Sequence, residues 1–122
     1  MDFSMDNQLW VEPVGNMIVV RMRGVPSEKL LRECHERVLL LLAQTGQNRI
    51  LYDALEMIAP PVQVALFQEK LDQGLDTQKL RRAIVVPNTK LAYLARLAFG
   101  EENYRVFYND IAGAIKWLTE EA

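Results

Sequence analysis

NRILYDALEMIAPPVQVALFQEKL, residues Asn48 to Leu71, is the stretch that decides the fold. Ile50 and Leu51 lead into Asp53, which reads as the acidic end of a buried strand. Ala54 to Pro60 then reads as a short apolar loop. Pro61 suits the first position of a helix, where a missing N–H leaves no hydrogen bond unmade, and the helix is predicted to run to about Asp72. From Thr45 to Thr77 neither serine nor threonine intervenes.

Working outward, the hydrophobic period changes several times. Leu9 and Val11 alternate with polar neighbours, Pro13-Val14-Gly15-Asn16 reads as a turn, and Ile18, Val20 and Met22 alternate with Arg21 and Arg23. The chain therefore opens with a β-hairpin. Gly24 stops it, Ser27 can cap a helix, and Leu31, Cys34, Val38, Leu41 and Leu42 recur at helical spacing from Glu28 until Gly46. Ala83-Ile84-Val85-Val86 is a continuous apolar run, as in a strand covered on both faces. Asn88 or Thr89 can cap a third helix with a Leu91, Leu94, Ala95 and Ala98 stripe, ended by Gly100. Tyr104 to Tyr108 reads as the last strand, and Asn109 or Asp110 caps a final helix whose Ile111, Ala114, Ile115 and Leu118 face inward. The expected class is α/β: a mixed sheet of about five strands, an N-terminal hairpin followed by alternating helices and strands, with four main helices.

Composition bounds the function. The 122 residues fit one domain, and half of them are apolar, enough for one packed core. The longest apolar run, Val38 to Ala43, is far below the roughly 18 residues of a membrane span. MDFSMDNQ lacks the basic and apolar regions of a secretory signal, so the expected location is cytoplasmic. Fourteen basic and sixteen acidic side chains are interspersed, which disfavours nucleic acid as a partner. Lys79, Arg81 and Arg82 read as a solvated flank beside a buried strand.

The same order of elements, the strand ending in Asp53, the RRAIVVPN strand and the YRVFYNDIAGAIKWL finish resemble a STAS domain of the SpoIIAA-like branch, related to anti-sigma-factor antagonists. The resemblance covers nearly the whole chain, 1–122. It implies a regulatory module that binds a protein partner, in which a hydroxyl just after the acidic strand end is phosphorylated to break that contact. Here Ala54 follows Asp53, and Ala59-Pro60-Pro61 leads into the helix, so the phosphoacceptor implied by the resemblance is absent.

The residues themselves offer a binding site at the carboxyl ends of the strands, where Asp53, Asn88, Asn109 and Asp110 fall. Its expected members are Asp53, Leu55, Glu56, Met57, Ile58, Pro61 and Phe67, in which apolar side chains occupy what reads as a loop. Folding back onto the sheet is the alternative for these side chains. Two stripes on the second helix, Val62-Ala65-Leu66 and Val64-Phe67-Leu71, and the surplus Leu30, Leu39 and Leu40 on the first helix suggest a groove or an interface.

Catalysis has little support. Cys34 and His35 are helix neighbours pointing about 100° apart, so they form no nucleophile and base pair by proximity. Cys34 reads as core and His35 as a solvated residue, with no second His or Cys to complete a metal site. No glycine spacing matches a phosphate loop, so no cofactor is expected. Two functions stay open: a non-enzymatic module that contacts a protein partner or a second copy of itself, and a carrier or sensor for a lipid or small apolar molecule with Met57, Ile58, Phe67 and Leu97 near an opening of a few hundred Å3.

Overall fold

The computed structural model describes residues 7–75, 79–100 and 103–120. Five strands form one sheet: β1 (Leu9–Val14), β2 (Met17–Gly24), β3 (Arg49–Met57), β4 (Arg81–Val86) and β5 (Tyr104–Tyr108). They lie side by side in chain order, β1 antiparallel to β2 and all other neighbours parallel. Four helices are present among the described residues: α1 (Glu28–Thr45), α2 (Val62–Asp72), α3 (Thr89–Phe99) and α4 (Ile111–Thr119). The α/β mixed sheet predicted above is thus observed.

The strand order explains the layers. Each parallel connection steps one strand further in the same direction, and right-handed crossovers of that kind place their helices on one face. Ile18, Val20, Met22, Ile50, Ile84 and Val86 point to that face and meet α1, α2 and α3 in two adjoining cores. The opposite face, with Met17, Leu51, Ala83 and Val85, is left to α4, which buries Ala114 and Leu118 against it. β4 is covered on both sides, and every residue from Arg82 to Val86 is buried.

Local signals set the boundaries. Gly15 supplies the positive φ, 59°, that the tight hairpin turn between Val14 and Met17 requires. The Ser27 hydroxyl accepts from the Leu30 N–H, Asn88 Oδ1 from the Leu91 N–H and Asp110 Oδ1 from the Gly113 N–H, so three helices begin on side-chain caps. α2 begins differently: Pro61 is its N-cap, one position earlier than expected, and makes no side-chain cap.

Three expectations change. Asp53 does not end its strand. It is the last β3 residue paired with β4, opposite Val85, but β3 continues to Met57 along β2, which a bulge between Arg21 and Arg23 keeps in reach. Leu30 is not surplus on α1, because it is 1% exposed and joins Leu31, Cys34 and Val38 in the core. Ile115 turns outward, while Ile111, Ala114 and Leu118 pack against the sheet or near it.

Candidate functional site

The structure divides the expected site residues. Asp53 is half-buried and its carboxylate accepts from the Leu55 N–H. Glu56 is exposed and pairs with Arg21 at 2.7 Å and Arg23 at 3.7 Å, while both guanidiniums also lie over the Trp10 ring. Leu55 packs toward the α4 core, and Met57 packs between the two cores beneath α1, α2 and α3. Phe67 is half-buried with Arg32 over its ring. Only Ile58 and Pro61 are exposed beside Glu56, because strand pairing gave the rest of the supposed loop an inner face.

Ile58 has apolar company that the sequence reading missed. Its N–H donates to the Gly24 carbonyl, which brings it next to Val25, and the chain then runs through Pro61 into α2. Val25, Ile58, Val62 and Leu66 are 48%, 61%, 46% and 43% exposed. Val62 and Leu66 belong to one of the two stripes noted on this helix. That stripe, Val62-Ala65-Leu66, is split: Val62 and Leu66 face out while Ala65 is core, and Val64, Phe67 and Leu71 of the other stripe pack against the core. Leu39 and Leu40 on α1 are also exposed.

Asn88, Asn109 and Asp110 do not converge on a ligand. Asn88 and Asp110 cap helices, and the Asn109 amide donates to the Pro87 carbonyl. Asn88 and Asp110 are spent on their own helix caps, and Asn109 ties its turn to the one that follows β4.

Between the sheet and α1, α2 and α3 lies a cavity of about 110 Å3. Its walls are almost wholly apolar, with Met22, Val38, Met57, Val64, Leu94 and Ala98 among them. Ile58, Phe67 and Leu97 are not part of the lining. The cavity's size is close to that of a site for a small molecule such as benzene, and well below the roughly 300 Å3 where drug-sized pockets begin.

Cys34, His35, Tyr52, Asp53 and Gln68 are the polar residues of its lining, and Arg82, fully buried, lies behind Phe99. Arg82 donates through Nη1 to Asp72 at 2.5 Å and stands 4.8 Å from the Phe99 ring centre, while Phe99 itself lines the cavity. Its Nε and Nη2 have no hydrogen-bond partner among the described residues. This corrects the solvated-flank reading for Arg81 and Arg82, while Lys79 is exposed as expected. Arg82 points inward because its position on β4 shares the face of Ile84 and Val86, whereas Arg81, on the other face, donates to the Trp117 carbonyl and stacks 3.9 Å from the Trp117 ring centre. The alternation RRAIVV could have shown that one of the two arginines must face the core.

Burial governs the chemistry of these groups. The Cys34 thiol is pushed up to about 12 by burial, with Arg37 opposing, so it is no nucleophile near neutral pH. Burial also raises Tyr52 well above the usual phenol range, so its hydroxyl stays a proton donor. His35 is held below its ordinary value by burial, with Asp72 and Glu36 opposing.

This architecture defines an α/β domain with a hairpin-led sheet, three helices on one face and one on the other. Comparison with solved structures identifies it as the SpoIIAA-like fold. The unphosphorylated anti-sigma factor antagonist SpoIIAA superposes with a TM-score of 0.66 at 10% identity, covering 93% of this chain and 99% of that one. An anti-sigma factor antagonist from Mycobacterium paratuberculosis gives 0.69 at 11% identity, covering 93% and 94%. An uncharacterized DUF3478-family protein with a SpoIIAA-like fold from Shewanella loihica gives 0.63 at 20% identity, covering 90% and 91%. No protein-family model and no curated protein matches the sequence. Among the described residues no helix is long and apolar enough to cross a membrane.

Proposed function

We propose that this protein is a non-enzymatic regulatory module that makes reversible contact with a protein partner, without a phosphorylation switch at the contact. The exposed apolar group Val25, Ile58, Val62 and Leu66 carries this reading. It sits where β3 passes into α2, and its desolvation on binding would favour association. Two of the structures that share the fold are anti-sigma factor antagonists, which supports a regulatory role. Tyr52 is the only hydroxyl side chain between Thr45 and Thr77, and it is half-buried and packed against the core of the sheet, so no serine or threonine stands in this segment for a kinase. Asp53 and Glu56 are engaged by Leu55 and by Arg21 and Arg23, which leaves them structural work instead of acid–base work.

A photo-crosslinking residue placed at position 58 or 66 tests this in the source cells. One discrete protein adduct should form from both positions and from neither Lys90 nor Lys116, two exposed positions elsewhere. Absence of an adduct at 58 and 66, or equal yield at all four, would overturn the contact site.

The cavity supports a second reading, a sensor for a small apolar ligand. Its volume suits a molecule of about six heavy atoms in place of a long acyl chain. Native mass spectrometry of freshly purified protein separates the two readings: a retained small mass supports the ligand, and a protein complex or dimer without one supports the partner.

A further inference from the structure

We propose that the open edge of β5 joins two copies of this chain, strand against strand and antiparallel, into one continuous sheet. The two-fold axis passes beside Val106. This surface is apart from the exposed group Val25, Ile58, Val62 and Leu66, and the inference does not rest on that group.

An open sheet of five strands has two edges, and in this one they differ. On β1 the Gln8 carbonyl accepts from the Arg23 N–H. Because the rungs of an antiparallel ladder alternate, Trp10 and Glu12 also address β2 with their backbone groups, while those of Leu9, Val11 and Pro13 face outward. Pro13 has no N–H to offer there, so a strand added to β1 would lack a hydrogen bond. That edge is blunted.

β5 has no such guard. The Asn103 carbonyl accepts from the Arg82 N–H and the Asn109 N–H donates to the Val86 carbonyl, so the odd-numbered residues of this stretch address β4 with their backbone groups. Val106 and Tyr108 therefore direct N–H and C=O away from β4, and among the described residues no strand lies beyond them. The strand reads YRVFY, without proline, lysine or a bulge, and four of its five residues are aromatic or β-branched.

The order of its side chains selects a second copy as the occupant. Antiparallel pairing centred on Val106 sets Val106 against Val106, Tyr104 against Tyr108 and Arg105 against Phe107 of the second copy. Arg105 carries the strand's only charge. Parallel pairing in register, or antiparallel pairing centred on Arg105, sets two guanidiniums against each other, which destabilises a sheet. The Val106 register gives each guanidinium a ring instead. That ring suits it, since within one chain the Arg105 guanidinium already lies 5.1 Å from the Phe107 ring centre.

Sedimentation equilibrium of the full chain at concentrations up to about 1 mM, with amide hydrogen exchange at each concentration, tests the inference. The wild type should dimerise, and the Val106 and Tyr108 amides should exchange more slowly as the dimer fills. Val106→Pro removes an outward N–H and no bond to β4, so it should give a monomer with the wild-type far-UV circular dichroism. Tyr108→Pro acts on the same edge at an exposed position and serves where Val106→Pro does not fold. A wild type that stays monomeric throughout would overturn the proposal. So would a dimer whose Val106 and Tyr108 amides exchange as fast as in the monomer, or one that survives the folded proline variant, because its contact would lie on another surface.

Discussion

Arg82 stands with no exposed surface, held by one short ion pair to the last residue of α2, while its flat guanidinium lies against Phe99. Burying this pair costs desolvation that its attraction only partly returns, so its main effect is positional: it ties the end of α2 to β4. Breaking it from one side is a different matter. Asp72→Ala leaves an unpaired cation in the core and is expected to lower unfolding free energy by about 3–5 kcal/mol. The double variant Asp72→Leu with Arg82→Met removes both charges and should recover most of that loss. Urea unfolding of the two variants beside the wild type checks this; equal loss in both would show that shape, and not the stranded charge, sets the cost.

At the scale of elements, α4 shows how caps and a packed end hold a short helix. Its N-terminal turn depends on Asp110, whose carboxylate accepts from the Gly113 N–H. A Cβ at Gly113 would lie 2.1 Å from Asp110 Oδ2, so the glycine keeps room for the cap. At the other end, Arg49 and Arg81 donate to the Leu118 and Trp117 carbonyls, pairing cations with the negative end of the helix dipole. Asp110→Ala should cost about 1 kcal/mol through the lost cap. Gly113→Ala should be near neutral alone, because displacing the cap offsets the roughly 1 kcal/mol gain in helix propensity. Made on top of Asp110→Ala it should stabilise, since only the propensity gain is left. Thermal melts of the three variants measure that non-additivity, and strictly additive values would refute the cap-and-glycine coupling.

For the whole molecule, buried titratable groups link folding to pH. His35 has a folded pKa below its ordinary 6.5, so below pH 6.5 the unfolded chain binds a proton that the folded chain resists. Stability should therefore fall as pH drops through that range. Cys34 behaves oppositely in sign: the unfolded thiol ionises near 9.0 and the folded one only near about 12, so stability falls as pH rises between those values. Tyr52 adds to the alkaline loss, since burial raises it above 10.0. Urea midpoints for the wild type and His35→Asn from pH 7 to 5.5 should diverge, with the wild type falling more steeply over that range. Parallel curves would show that His35 titrates alike in both states.

Much of this molecule was legible in one dimension because period, caps and breakers act locally. Alternation at Ile18 to Met22, the apolar run at Ala83 to Val86, Ser27 and Asn88 as caps and Gly46 and Gly100 as stops belong to their own segments, and the structure places strands, helices and caps there. The site was less legible. Asp53 looked like a strand end because local pattern cannot register β2, whose bulge carries β3 on to Met57 and turns half of an apparent loop inward. Nor can spacing alone decide which apolar positions of α2 face out; the sheet beneath Val64, Ala65 and Phe67 leaves Val62 and Leu66 outside. The cavity and the pairing of Arg82 with Asp72 arise between segments ten or more residues apart, so residue order supplied the side chains, and only the packing of three helices on one sheet face brought them together.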